Sequence, residues 1–396
     1  MNKLGGLILM KYNFNKGVNR INTDARKYDE YKANFNTDID DIIPMWIADM
    51  EFETCDEITK AIQEKLLIGN LGYDTLNGYF EAVVNWMKKR HDLDITTEDI
   101  VYTPGVVTAI NILLKILTKE NDKVLVQTPV YHSFFKVLNE NKCDIIQSEL
   151  IKKNNKYEID FEDFEEKIAT GVKVFILCNP HNPIGRVWTC EELERLVEIC
   201  ESYGVYIISD EIHADLIFKG YKHNTLLNVA PYYKDKIITC TAPSKTFNIA
   251  GLYISNIIIA NNELRKQYTD LFYAKPNVLG AHALIAAYTK GEEWLEEMLA
   301  YIENNYNYVV NYINENIPKI KVTKQEGTFL TWLDCRELKL DDEQLLRFFI
   351  DKAKVICSQG LEFGNGGSGY MRMNIACPLD TLKEALDRIK LAIDNK

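Results

Sequence analysis

The feature that most constrains this chain is the alternation of short buried strands with helices over residues 103–260. Apolar, β-branched runs such as 172–178 and 237–241 are short and continuous, as in strands covered on both faces. Helical periodicity lies between these runs, and Thr189 and Glu192 form a capping box at the start of one helix. The alternation predicts an α/β fold with a mostly parallel sheet, in which ligands bind at the carboxyl ends of the strands.

The sequence changes character after about Gly291. One long helix is predicted over 292–316, and strand-like segments and further helices over 341–354 and 380–395 follow it. We therefore predict a large ligand-binding domain over 58–291. A smaller α+β domain over 292–396 is completed by the N-terminal segment 1–57. A chain of 396 residues is long enough for both domains.

Composition excludes several classes of partner. The net charge is −12 without a basic stripe, which argues against nucleic acid, and no apolar run is long enough to span a bilayer. The nine cysteines form no C-x-x-C pair, so we predict neither a disulfide framework nor a metal site, and a reducing cytoplasm fits best. Residues 1–10 are too short for a signal peptide, and Met10 is an alternative start.

Lys245 follows the buried strand 237–241, where a charged side chain is costly. Burial disfavours the ammonium form, lowers the pKa and so makes the amine a nucleophile. The chemistry that uses such an amine is a Schiff base with an aldehyde cofactor.

Asp210 and Asn182 each follow a predicted strand. A carboxylate in the position of Asp210 suits a cationic partner such as a pyridinium nitrogen, and the alternatives are a helix N-cap or a surface ion pair. Asn182 lies between two prolines in an extended loop and could donate its amide to a phenolate oxygen on a cofactor ring. Its alternative role is an Asx turn.

Three further positions suit the same kind of ligand. Val106 and Val107 begin a helix after Gly105, and their N–H groups could bind phosphate, although an ordinary capped helix gives the same pattern. Tyr131 could stack on a planar ring or pack in the core.

Arg372 and His213 are the remaining candidates. Arg372 lies in an apolar strand and needs an anion, either a substrate carboxylate or an internal salt bridge. His213 could contact the ring or Asp210, or be structural. The glycine-rich stretch 364–369 lacks the ending of a phosphate loop and indicates a mobile hairpin beside the site.

Together these residues resemble the fold-type I, pyridoxal-phosphate-dependent aminotransferases of class I/II. The closer similarity is to the MalY/PatB branch of cystathionine β-lyases, or C–S lyases, and it extends from about Met10 to the end of the chain. The resemblance implies a PLP-dependent transferase (aspartate aminotransferase-like) fold and the cofactor pyridoxal 5′-phosphate. It rests on the segments 46–52, 72–73, 104–107, 128–131, 179–188, 209–213, 242–252 and 372–378.

The resemblance implies a role for each residue around the cofactor ring. Lys245 would form the Schiff base, and Asp210 would bind the pyridinium nitrogen. Asn182 would bond the ring oxygen, and Tyr131 would stack on the ring. His213 takes the place of a tyrosine that bonds the ring oxygen in aspartate aminotransferases.

It also implies contacts to the two anionic groups. Val106 and Val107 would offer backbone N–H groups to the phosphate, and Ser244 a hydroxyl. Tyr73 matches a tyrosine that reaches the phosphate across a dimer interface, which implies a homodimer. Arg372 would bind the α-carboxylate of a small amino-acid substrate.

The chain also departs from the aminotransferase pattern. Ala242 replaces a common serine, and Tyr253 replaces a common arginine, so the phosphate cup carries less charge. These two changes, with His213, fit the lyase branch better than a transaminase. Ile184 replaces a common threonine.

The function that the resemblance implies is a carbon–sulfur β-lyase, which cleaves L-cystathionine or related L-cysteine conjugates to a thiol, pyruvate and ammonia. One alternative is an aminotransferase on the same fold. Another is a PLP-bound protein whose main role is to bind a regulatory partner. A nicotinamide dehydrogenase is disfavoured because no G-x-G-x-x-G follows the first strand. The preferred cysteine conjugate stays open.

Overall fold

The structure is a computed structural model and describes residues 11–396. The alternative start at Met10 lies outside the described residues. The strands are β1 Ile43–Pro44, β2 Ile100–Thr103, β3 Lys123–Thr128, β4 Asp144–Glu149, β5 Ile151–Lys153, β6 Lys156–Glu158, β7 Val172–Cys178, β8 Tyr206–Asp210, β9 Ile237–Thr241, β10 Ser255–Ile259, β11 Lys321–Val322, β12 Leu330–Asp334, β13 Val355–Ile356, β14 Ser358–Gln359 and β15 Tyr370–Asn374.

Helices connect most of these strands. They are α1 Arg26–Asp29, α2 Tyr31–Phe35, α3 Asp56–Leu67, α4 Tyr79–His91, α5 Val106–Leu117, α6 Ser133–Glu140, α7 Phe161–Ile168, α8 Cys190–Ser202, α9 Leu226–Val229, α10 Pro243–Thr246, α11 Asn262–Leu271, α12 Val278–Lys290, α13 Glu292–Asn316, α14 Asp342–Arg347 and α15 Leu379–Asp394. None of them is long and apolar enough to cross a membrane.

The largest sheet has seven strands in the order β2-β10-β9-β8-β7-β3-β4. Strand β10 is antiparallel to both of its neighbours, and the other four pairings are parallel. The predicted mostly parallel sheet is therefore confirmed. The connections place the carboxyl ends of β3, β7, β8 and β9 along one edge, where the site forms.

Helices cover both faces of this sheet. In β7, Val174 and Ile176 pack into the core under α5, whereas Phe175 and Leu177 pack into the core under α8. All four are almost wholly buried. Burying a side chain of this kind stabilises the fold by about 1.5–3 kcal/mol, and this explains the continuous apolar runs in the sequence.

The C-terminal part contains a four-stranded antiparallel sheet in the order β11-β12-β15-β14. The predicted helix 292–316 is present with those bounds. The helix predicted over 341–354 is divided: α14 ends at Arg347, and Phe348–Lys352 is a π-helical turn. The wider turn lets three consecutive apolar side chains enter the core, at positions 348 to 350, which an α-helix would spread around its axis.

The N-terminal segment joins the C-terminal part, because β1 pairs in parallel with β13. Asn374 donates to the carbonyls of Ile47 and Asp49 at 2.6 Å each and ties the following loop to β15. The boundaries of the large and small domains, 57/58 and 291/292, stay a prediction.

Candidate active site

A cavity of about 610 Å³ opens at the carboxyl edge of the large sheet. Four parallel strands, β3, β7, β8 and β9, each supply a polar or aromatic residue at the carboxyl end or within four residues of it, as expected for a parallel sheet: Tyr131, Asn182, Asp210 and Lys245. Eight of the predicted residues line it: Val106, Val107, Tyr131, Asn182, Asp210, His213, Ser244 and Lys245. The sequence separates these residues by up to 139 positions, and the topology brings them together.

Lys245 lies on the single-turn helix α10, directly after β9. Its Nζ donates a hydrogen bond to the carbonyl oxygen of Ala48 at 2.6 Å. Burial lowers the pKa of this amine to about 8, and the nearby charge of Asp49 opposes that shift. A buried amine that is partly neutral at physiological pH can act as a nucleophile and as a base.

We expect the reactivity of Lys245 in the cofactor-free protein to rise with pH up to about 8 and to level off above 9. The reason is that only the neutral amine attacks, and at pH 7 a pKa of about 8 leaves roughly one tenth of it neutral. Labelling with acetic anhydride at a series of pH values, read by mass spectrometry of the Lys245 peptide, measures this. An N-acetyl-lysine amide in the same tube should keep rising beyond pH 10, and a superimposable curve for Lys245 would contradict the lowered pKa.

Asp210 is the last residue of β8 and is 4% exposed, which excludes a surface ion pair. Its Oδ1 accepts from the backbone N–H of Ile212 at 3.1 Å. Burial raises the pKa of this carboxyl to about 7, and the charge of Lys245 opposes the shift. A cation bound in the cavity beside Asp210 would therefore bind to a carboxyl that becomes fully ionised.

His213 is buried, and its Nδ1 has no hydrogen-bond partner among residues 11–396. Burial, together with the charges of Lys245 and Arg372, lowers the pKa of the imidazole to about 3. The ring is therefore neutral, and its unpartnered Nδ1 can bond a ligand.

Arg372 lies in β15 behind the loop that carries Asn182. Its Nη1 donates to Asn182 Oδ1 at 3.1 Å, and its Nη2 donates to the carbonyl of Trp46 at 2.9 Å and to Ser358 Oγ at 3.0 Å. Burial lowers the pKa of this guanidinium to about 10. In the described part of the chain no carboxylate lies within 4 Å of it, and its buried Nε is unpartnered, so the salt-bridge alternative is wrong. The arrangement leaves a buried cation for an anionic ligand.

Helix α5 begins at Val106, after the N-cap Gly105, so its first N–H groups face the cavity edge. This is the arrangement that favours phosphate. Ser244 lines the same cavity. Tyr131 lines it as well, and its ring packs edge-on against His132.

Tyr73 is fully exposed and does not line the cavity. It follows an exposed apolar stretch at the end of α3 that includes Leu67 and Ile68. Two of the departures from the aminotransferase pattern, Ala242 and Tyr253, do line the cavity. Their side chains bring no charge to the phosphate end.

The cavity fits pyridoxal 5′-phosphate in volume and in donor set. It combines a partly neutral amine, a buried carboxyl and a helix N-terminus with one unpartnered buried nitrogen, His213 Nδ1. Arg372, whose Nε is also unpartnered, does not line the cavity itself and contacts it through Asn182. An aldehyde, a cationic ring nitrogen and a phosphate match the first three groups in turn.

Sequence reasoning missed several supports of the site. The carbonyl groups of Trp46 and Ala48 bind Arg372 and Lys245, and Ser358 holds the guanidinium in place. A backbone carbonyl has no signature in a sequence. The only signal was the resemblance of segment 46–52, which gave no role to these atoms.

The family model for aminotransferase class I and II matches residues 40–389 of the chain. Cystathionine beta-lyase PatB of Bacillus subtilis (strain 168) is 40% identical over 387 residues, which cover 96% of this chain and 100% of the relative. Protein MalY of Escherichia coli (strain K12) is 32% identical over 383 residues, 95% of this chain and 97% of the relative.

Two solved structures are similar over almost the whole chain. A PLP-bound protein from Clostridium difficile 630, provisionally named an aminotransferase, has 45% identity, a TM-score of 0.94 and coverage of 96% of this chain and 100% of its own. The PLP-bound C–S lyase from Staphylococcus hominis has 38% identity, a TM-score of 0.92 and coverage of 98% and 100%. The aspartate aminotransferase-like fold expected from the sequence is thereby confirmed. The chain belongs to the aminotransferase class I and II family.

Proposed function

We propose that this protein is a PLP-dependent carbon–sulfur β-lyase that cleaves L-cystathionine or a related L-cysteine S-conjugate to a thiol, pyruvate and ammonia. The observation that carries the proposal is the cavity in which Lys245 and Asp210 lie together under the N-terminus of α5. The full-length similarity to relatives named cystathionine beta-lyase and to a PLP-bound C–S lyase supports the choice of reaction.

Lys245 and Asp210 carry the chemistry in this proposal. When bound, pyridoxal phosphate supplies an electron-withdrawing ring that stabilises negative charge on the substrate Cα. Lys245 would hold the aldehyde of the cofactor, and its free Nζ would accept the Cα proton of the substrate. A pKa of about 8 suits that transfer near neutral pH. Asp210 would keep the ring nitrogen protonated.

Asn182, Arg372 and His213 orient the bound groups in the proposed complex. Because Arg372 occupies the Oδ1 of Asn182, the amide Nδ2 of Asn182 is free to donate to the ring oxygen. Arg372 then has the Nε–H and one N–H of Nη1 for the substrate α-carboxylate. Neutral His213 offers one nitrogen to the cofactor ring or its oxygen.

The phosphate end of the cavity carries fewer charged side chains than the aminotransferase pattern in this proposal. Val106, Val107 and Ser244 supply backbone and hydroxyl donors, and Tyr131 stacks on the ring. We also propose a homodimer in which exposed Tyr73 reaches the phosphate in the partner's cavity, because apolar surface of this kind at the end of α3 favours burial. A cytoplasmic location and the division into large and small domains belong to the same proposal.

The decisive assay follows pyruvate and free thiol together after L-cystathionine is added to the purified, PLP-loaded protein. We expect both products in a one-to-one ratio, because β-elimination releases one thiol for each pyruvate. L-Alanine with a keto acid serves as the control, since it has no β leaving group and reacts only in transamination. Transfer to the keto acid without pyruvate from cystathionine would instead establish an aminotransferase.

The absence of both reactions would contradict either enzymatic function. In that outcome the regulatory alternative gains support only if the PLP-loaded protein retains a specific partner. Two observations favour the lyase beforehand: Tyr253 and Ala242 leave the phosphate end uncharged, and His213 replaces the usual tyrosine.

A further inference from the structure

Two buried histidine–carboxylate pairs lie beside the segments that carry Asp210 and Lys245, outside the lining of the cavity. His223 Nε2 bonds Glu211 Oε2 at 2.9 Å, and His91 Nε2 bonds Asp215 Oδ1 at 2.8 Å. All four residues are buried. The two imidazole rings contact each other edge to face with their centroids 5.4 Å apart, so the pairs form one cluster. None of the four lines the cavity.

Of the two carboxylates in this cluster, Asp215 accepts hydrogen bonds from side chains that lie farther away in the sequence than those that bond Glu211. Its Oδ2 accepts from Thr246 Oγ1 at 2.8 Å, and both of its oxygens accept from Trp86 Nε1, at 3.2 and 3.3 Å. Arg90 Nε lies 3.2 Å from Oδ1. Burial alone would raise the pKa of Asp215, but the hydrogen bond and charge of His91, with those of its other neighbours, hold it below the ordinary value. The carboxylate is therefore ionised and fully occupied by donors.

Glu211 has a similar set of partners beside Asp210. It accepts from Ser209 Oγ at 2.9 Å, Thr225 Oγ1 at 2.6 Å and the N–H of Leu226 at 3.0 Å, in addition to His223. These bonds fix the chain directly after Asp210. The cluster thus holds the segment that carries the buried carboxyl of the site.

The contact between Asp215 and Thr246 joins the two segments that carry Asp210 and Lys245. Asp215 lies five residues after Asp210, and Thr246 is the residue next to Lys245. Helix α10, which carries Lys245, has only four residues and cannot hold its own position as a longer helix would. The side chain of Thr246 points to the cluster while that of Lys245 reaches the cavity.

We propose that Thr246 and Asp215 are positioning residues, which fix the position of Lys245 relative to Asp210. The buried cluster of His91, Asp215, Glu211 and His223 holds Asp215 itself in place. The inference rests on the proposed function for its catalytic readout. Proton transfer from the substrate requires the amine within about 3 Å of the Cα proton, and a misplacement of 1 Å can lower the rate about 10²-fold. Neither residue contacts the substrate in this proposal.

Thr246→Val tests the link, because valine keeps the shape of threonine and removes the hydroxyl donor. We expect kcat to fall about thirtyfold with KM changed less than twofold, within the range for misplaced catalytic groups. Thr246→Ser should restore kcat to within about threefold of the wild type, because it keeps the hydroxyl. The visible circular dichroism of bound PLP, measured without substrate, should change in Thr246→Val and recover in Thr246→Ser.

A double-mutant cycle assigns the effect to the contact itself. Asp215→Asn should lower kcat, and the double variant with Thr246→Val should lose less than the product of the two single losses. Ser148→Ala is the matched control. Ser148 lies on the edge strand β4, and its Oγ also donates to a carboxylate, Asp163 Oδ2, at 2.7 Å. Its kcat and dichroism should match the wild type.

The proposal is overturned if Thr246→Val keeps both kcat and the dichroism of the wild type, or if serine does not rescue either. Additive losses in the cycle would also overturn it. Should valine prevent folding, Thr246→Ala replaces it in every comparison. If the wild type makes no pyruvate from cystathionine, the proposed function fails, yet the dichroism of bound PLP in the same variants still decides the positioning role.

Discussion

Lys245→Ala is expected to lower the rate of thiol and pyruvate release by about 10⁴-fold, since it removes the proposed nucleophile that holds the cofactor and the proposed base that accepts the Cα proton. The amine suits both tasks because burial lowers its pKa to about 8. No other lysine lines the cavity, so the described chain offers no replacement there. The loss should be in kcat, with the substrate groups that bind Arg372 unaffected.

Two measurements check this expectation. The first is single-turnover release of thiol from L-cystathionine, and the second is the mass of the Lys245 peptide after the loaded protein is reduced with borohydride. The wild-type peptide should gain the mass of the reduced cofactor, whereas no peptide of Lys245→Ala should gain it. Lys123→Ala is the control, because Lys123 lies at the opposite end of β3 and donates to Thr170 O at 2.9 Å. Covalently held cofactor in Lys245→Ala would refute the assignment.

The fold could be predicted from the sequence wherever the apolar residues follow one clear pattern, either a continuous buried run or helical spacing. Continuous apolar runs such as Val172–Cys178 were recognisable because both faces of the sheet are covered, and the helix Glu292–Asn316 has a long regular pattern. The prediction failed at Phe348–Lys352, since three consecutive apolar residues fit neither helical nor strand periodicity there. The π-helical turn follows from packing, which local periodicity does not encode.

The site was predictable to the extent that its residues follow strands. Asp210 ends a buried strand, Asn182 and Lys245 each lie four residues after one, and the carboxyl edge of a parallel sheet brings such positions together. The support behind the site was not predictable. His91 and Asp215 are 124 positions apart, and either residue alone is an ordinary surface residue type in the sequence. Only the three-dimensional structure shows that they pair and that Asp215 contacts Thr246, the residue after Lys245.

The second large effect is expected at Arg372, whose guanidinium is buried without a carboxylate within 4 Å among the described residues. Neutral donors and acceptors hold it: Trp46 O, Ser358 Oγ and Asn182 Oδ1. A substrate α-carboxylate would supply the missing anion and accept from the unpartnered Nε–H. Losing one partner of such a buried pair costs about 3–5 kcal/mol, which corresponds to about 10² to 10⁴ in a rate or equilibrium constant.

We therefore expect Arg372→Gln to lower kcat/KM for L-cystathionine about 10³-fold, mainly through KM, because the carboxylate is bound in ground and transition states alike. The kcat/KM of Arg372→Lys should lie between those of the wild type and Arg372→Gln, since lysine keeps the charge and loses the planar guanidinium. Steady-state kinetics gives both parameters, and calorimetry separates any loss of folding stability. Arg265→Gln is the control, because that guanidinium donates to Asn262 Oδ1 at 2.6 Å on helix α11, away from the cavity. An unchanged KM in Arg372→Gln would show that another group holds the substrate carboxylate, and it would remove Arg372 from the substrate site.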